Sequence, residues 1–119
     1  MNIVVHIKNG KTEHGYEWGT RQAWACDVDE VSKVERVIGV IDSKIVCIIE
    51  GVKSELSTQE NNPKHNKNCD GRFIFIGGEC WTENDALKPS LPKLMYKKVK
   101  NLNQGHRYMT DKELADRSY

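Results

Sequence analysis

The chain has 119 residues, a formal net charge of +1, and 29% charged against 38% hydrophobic residues. That length suits one domain spanning residues 1–119, able to bury about two-thirds of its unfolded surface without disulfides. No apolar run approaches the roughly 20 residues that span a bilayer, and the opening MNIVVHIKNGK is charged too early for a signal peptide, so a soluble, cytoplasmic protein with no membrane partner is expected.

Asn2 to Ile7 alternate in hydropathy, and the following Asn9-Gly10 predicts a β-hairpin whose second arm, Lys11 toward Tyr16, is a polar edge. Tyr16 to Trp24, YEWGTRQAW, places three large rings around Arg21 and reads as an irregular segment because of Gly15 and Gly19. Val28, Val31 and Val34 follow at helical spacing, with Asp27 or Asp29 as cap, and predict a short helix. RVIGVID and KIVCIIEGV flank Asp42-Ser43 and predict a hairpin from Arg36 to Gly51.

Residues 54–70 are rich in Asn, Ser and Lys and read as a mobile, exposed polar loop, long enough to be functional. RFIFI, Arg72 to Ile76, is a short buried strand broken by Gly77-Gly78, and it is expected to form the central sheet with the hairpin. Thr82 caps one turn of helix through Leu87, and Pro89 and Pro92 enforce extended chain. KLMYKKV and HRYM read as strands, and Thr110 with Glu113 forms a capping box for a terminal helix, DKELADR. Five or six strands with two or three short helices predict a compact α+β or small β-barrel domain.

Catalytic motifs are missing: there is no GxSxG, P-loop, GxGxxG or HExxH, and His6, His14, His65 and His106 show no ligand spacing. Cys26, Cys47, Cys69 and Cys80 form no CxxC pair, and Cys47 sits in IVCII where a small hydrophobe belongs, so reduced thiols are expected. Cys69, Cys80 and His65 make a zinc site only if the fold gathers them, and Asp27, Asp29 and Glu30 are explained by helix capping. No enzyme activity, metal or cofactor is expected.

Binding has better support. Tyr16, Trp18 and Trp24 surround Arg21, and Arg72, Phe73, Phe75 and Trp81 cluster around the Gly77-Gly78 break. Rings and an Arg fork stack on a flat ligand and grip its anionic edge; equally, Trp24 packs a core, and Arg21 either pairs with an acid such as Glu17 or points into a concave site. Ala86 to Thr110 holds no Asp or Glu but carries Lys88, Lys93, Lys97, Lys98, Lys100 and Arg107, which form either a phosphate-recruiting surface or a solvated face.

In order, YEWGTRQAW, the acidic-start helix, ERVIGVIDSKIVCIIEGV, GRFIFIG and QGHRYM resemble a small domain of the PUA-like superfamily, of the ASCH and EVE type. The branch concerned is found in phage proteins and beside some GIY-YIG nucleases, and the similarity covers about Tyr16 to Met109. Ser43-Lys44 stands where that pattern has Gly, Phe73 where Trp is common, and the NNPKHNKN loop is atypical. The resemblance implies a pseudo-barrel with a pocket beside its helix, flanked by Arg21 and Trp24 of TRxxW and by Arg72 and Phe73 of GRxxF. The expected function is non-enzymatic recognition of a nucleotide or nucleic acid. Tyr16, Trp18, Arg21, Trp24, Arg72, Phe73 and Trp81 are the expected ligand contacts, and Lys97, Lys98, Lys100 and Arg107 the phosphate contacts. The alternative is a phage-type inhibitor that sequesters a host defence protein or a signalling nucleotide; self-association is open in either case.

Overall fold

Strand β1 (Asn2–His6) is apolar on both faces and has a neighbour on each edge, and these facts set the architecture. The computed structural model describes residues 1–85, 91–102 and 106–119. β1 pairs in parallel with β2 (Arg36–Ile41), Ile3 opposite Val37, and antiparallel with the strand His106–Met109, Ile3 opposite Tyr108. A tight turn with Asp42 and Ser43 at positive φ leads from β2 into β3 (Lys44–Glu50), so the predicted Arg36 to Gly51 hairpin is present. A bulge near Gly39 turns both Val46 and Cys47 toward one core.

The predicted hairpin at Asn9-Gly10 does not form. Both edges of β1 already carry a strand, and KTEHG has no apolar face to offer, so the chain enters helix α1 (Lys8–Arg21). Tyr16 to Arg21 of the expected irregular segment are therefore helical. α1 bends at Gly15 (φ 85°, ψ 177°), and its halves approach so closely that a Cβ on Gly19 would stand 2.8 Å from the Gly10 carbonyl carbon. The short helix α2 (Val28–Val31) starts where expected, with the Asp27 side chain accepting from the Asp29 N–H.

β4 (Lys53–Leu56) and β5 (Phe73–Ile76) pair antiparallel as a separate two-stranded sheet, so RFIFI is not in the central sheet. The free edge of β3 goes instead to β6 (Glu79–Thr82), which follows the Gly77-Gly78 turn directly. Gly78, at positive φ, lies against the Glu50 carbonyl, where any side chain would collide. With β7 (His106–Met109) on the other side, the larger sheet runs β6-β3-β2-β1-β7. It is mixed, and among the described residues it is open and does not close into a barrel, so the domain is α+β.

One face packs Ile3, Val5, Val37 and Ile49 beneath α1, Phe75 and Trp24. The other packs Val4, Ile38, Ile48 and Trp81 beneath Met95, Val99 and the Leu114 of helix α3 (Asp111–Arg117). Thr110 caps α3 as predicted, its hydroxyl accepting from the Glu113 N–H at 3.1 Å. KLMYKKV is a turn followed by an extended strap rather than a regular strand, because its polar residues have no alternating face to bury. After Thr82 the chain makes one 3₁₀ turn, Glu83–Asp85; Leu87, Lys88 and Pro89 lie outside the described residues. Among the described residues no helix is long and apolar enough to cross a membrane.

Candidate functional site

Arg21 ends α1 with its side chain buried, 8% exposed. Its Nε donates to Glu17 at 2.9 Å, one helical turn back, and its Nη1 donates to the carbonyls of Phe75 (3.1 Å) and Gly77 (2.8 Å). Of the two roles open from sequence, the geometry matches the ion pair with Glu17 and adds a clamp onto β5. Gly77 thus serves as an acceptor at the end of that strand.

The rings beside it divide. Trp24 donates its indole N–H to the Thr20 carbonyl at 2.9 Å and exchanges two backbone hydrogen bonds with Phe73, which joins the TRxxW and GRxxF elements directly. Both rings are half-buried against the first core, as is Tyr16, and Trp18 is half-buried nearby on α1. Arg72 is exposed and reaches the Ala23 carbonyl at 3.3 Å. Trp81 lies elsewhere: it alternates with Cys80 along β6 and is buried in the second core, on the opposite face of the sheet. The Tyr16 hydroxyl donates to Glu83, and that hydrogen bond, with burial, pushes its pKa up to about 12.

The stretch read as a loop from 54 to 70 starts as strand β4 and then folds over the end of α1. Asn62, 1% exposed, donates to the Gln22 side-chain oxygen at 2.5 Å and to the Ser57 hydroxyl at 3.0 Å. Ser57 meets His65 Nδ1 at 2.8 Å, and His65 Nε2 meets Asp70 at 3.1 Å. The chain of groups has the composition of a catalytic triad, yet Ser57 is buried and its oxygen already accepts from Asn62, so it offers no exposed nucleophile. Its chemistry is that of a pin that fixes an otherwise polar segment. Cys69 sits at this pin and Cys80 beside Cys47, so the conjectured zinc set of Cys69, Cys80 and His65 is not gathered. Among the described residues no three metal-ligating side chains converge.

The strap carries the expected phosphate contacts. Ile45 N–H donates to the Lys97 carbonyl, Val99 N–H to Ser43, and Lys100 N–H to Arg117, while Lys98 and Tyr119 exchange two backbone hydrogen bonds of 2.9 Å. Val99 is buried, and Lys97, Lys98 and Lys100 are exposed. Tyr96 and Tyr119 flank them with 41% and 64% of their surfaces exposed, and the Lys100 ammonium stands 5.0 Å from the Tyr119 ring centre. Arg107, by contrast, faces Glu113 at 4.0 Å, and Glu113 also pairs with Arg117 at 3.2 Å. Sequence reading missed the two tyrosines, although Tyr96 directly precedes Lys97 in YKKVK, an aromatic set into a basic run.

A cavity of about 390 Å³ opens at the other end of the sheet, around Asn2, Arg36, Glu50 and Asp111. There Arg36 donates to Asn2 (2.6 Å), Glu50 (3.2 Å) and Asp111 (3.3 Å), so its charge is already compensated. The hydrogen bond from Asn2, with Arg36 nearby, holds the Asp111 carboxyl below its ordinary range. No protein-family model, curated protein or solved structure matches this chain.

Proposed function

We propose that this domain binds nucleic acid without transforming it, and that the strap carrying Lys97, Lys98 and Lys100 is the contact surface. The observation that carries the proposal is the pairing of three exposed lysines with two exposed tyrosines on backbone that hydrogen-bonds fix on both sides. Ammonium groups carried on a fixed backbone neutralise successive phosphates, and ring faces stack on unpaired bases at roughly 1–3 kcal/mol per base. This chemistry favours single strands, whose bases are free to stack. The resemblance of YEWGTRQAW and GRFIFIG to PUA-like domains supports the same ligand class; in this reading Arg21, Trp24 and Phe73 hold the fold together and Arg107 contributes through long-range charge.

The test is anisotropy of a labelled single-stranded oligonucleotide against salt. Each neutralised phosphate contributes roughly 0.7 to the log–log slope, so replacing Lys97, Lys98 and Lys100 together by Gln lowers the slope by about 2. Absence of binding at low salt, or an unchanged slope in the triple variant, overturns the proposal.

A further inference from the structure

Cys47 and Cys80 lie on neighbouring antiparallel strands, two residues out of direct register, and their sulfurs face each other at 3.8 Å on the first face of the sheet. Cys47 is buried and Cys80 half-buried. β6 is the last strand on its side of the five-stranded order among the described residues, and it is entered through Gly77 and Gly78, both at positive φ. We propose that Cys47 and Cys80 form a reversible two-electron redox site, closed to an intramolecular disulfide by a peroxide.

The half-exposed Cys80 sulfur meets the oxidant first. It attacks one peroxide oxygen, the O–O bond breaks, and the departing hydroxide takes the thiol proton as water, leaving a sulfenic acid on Cys80. The Cys47 sulfur then attacks the Cys80 sulfur, the S–O bond breaks, and hydroxide leaves with the Cys47 proton as a second water. Two thiols and one peroxide become one disulfide and two waters. The sulfurs must close by roughly 1.8 Å to reach bonding distance, which takes rotation of both side chains and a small approach of β6 to β3. The hydrogen bond from Cys80 draws the Cys47 thiol below its ordinary pKa, with Thr20 and Arg21 acting the same way against burial and Glu17, which suits it to the second step. That hydrogen bond and burial push the Cys80 thiol up. Cys26 and Cys69 have other surroundings, Tyr108 and Gln22 respectively, and stay reduced.

The folded full-length protein is treated with hydrogen peroxide, unfolded in an alkylating agent, and weighed intact. The expected product has lost two hydrogens, takes up two alkyl groups where the untreated protein takes up four, and yields a linked peptide containing Cys47 and Cys80; dithiothreitol restores the four. Cys80→Ser should show no such loss of mass. If that variant does not fold, peptide mapping of the wild-type chain gives the answer alone. Four alkylated cysteines after treatment, oxygen added to Cys80 without linkage, or linkage through Cys26 or Cys69 overturns the proposal.

Discussion

Replacing Arg21 by Ala removes a charged donor that is 8% exposed and bonded to one carboxylate and two carbonyls. Hydrogen bonds to charged groups contribute about 1.5–3 kcal/mol each, but Glu17 is half-exposed and rehydrates when its partner goes. The Phe75 carbonyl loses a buried donor and the Gly77 carbonyl a part-buried one, and the end of α1 loses its tie to β5. The expected net cost is about 1–3 kcal/mol, the penalty for leaving a buried acceptor without its donor. Against a typical total of roughly 5–15 kcal/mol this is a large fraction. Urea unfolding monitored by tryptophan fluorescence should show a lower midpoint with an unchanged slope, and Arg21→Lys, which keeps the charge but not the fork, should fall between. Oligonucleotide affinity, measured where the variant is folded, should not change. A stability loss under about 1 kcal/mol together with weakened binding would refute the clamp and return Arg21 to the ligand.

Gly19→Ala places a Cβ 2.8 Å from one backbone atom of Gly10 and 2.9 Å from the Lys11 nitrogen, and the overpacking cost of about 1–3 kcal/mol outweighs the helix-propensity gain of about 1. A raised melting temperature would contradict the close approach. Asn62→Ala leaves the Gln22 and Ser57 side chains without their shared donor and should cost about 1–3 kcal/mol while speeding proteolysis within residues 57–70; unchanged values would mean that the pin is not holding that segment. Asp111 has its folded-state pKa below its ordinary 3.8, so its contribution is fully present above that value and is lost as pH falls through the folded one. Wild type should therefore exceed Asp111→Asn in unfolding free energy near neutrality, and the gap should close in acid; a gap that widens in acid would reverse the assignment.

The elements legible in sequence are those whose signal is local. The Arg36 to Gly51 hairpin announces itself by two β-branched runs and a turn, and Thr110 with Glu113 marks the start of α3 within four residues. Asn9-Gly10 misleads because a hairpin needs a free edge, and β1 gives its edges to β2 and β7, the latter a hundred residues away. Arg21 remained ambiguous because its carbonyl partners lie 54 and 56 positions on. Asn-rich composition between residues 54 and 70 concealed Asn62, which is buried. The lysines of the strap were visible, but not that Val99 is buried while Tyr119 locks in beside Lys98. Trp81 misled through its polar neighbours: in a strand those neighbours sit on the opposite face, and their polarity says nothing about where the ring goes.

Amide chemical-shift mapping of the ¹⁵N-labelled protein titrated with a short single-stranded oligonucleotide tests the proposed surface most directly. Perturbations should concentrate at Tyr96 to Lys100 and at Arg117 to Tyr119, with the amides of Arg21, Trp24 and Phe73 unmoved. Shifts centred on Arg21, Trp24 and Arg72 with the strap silent, or no shifts at low salt, would contradict it.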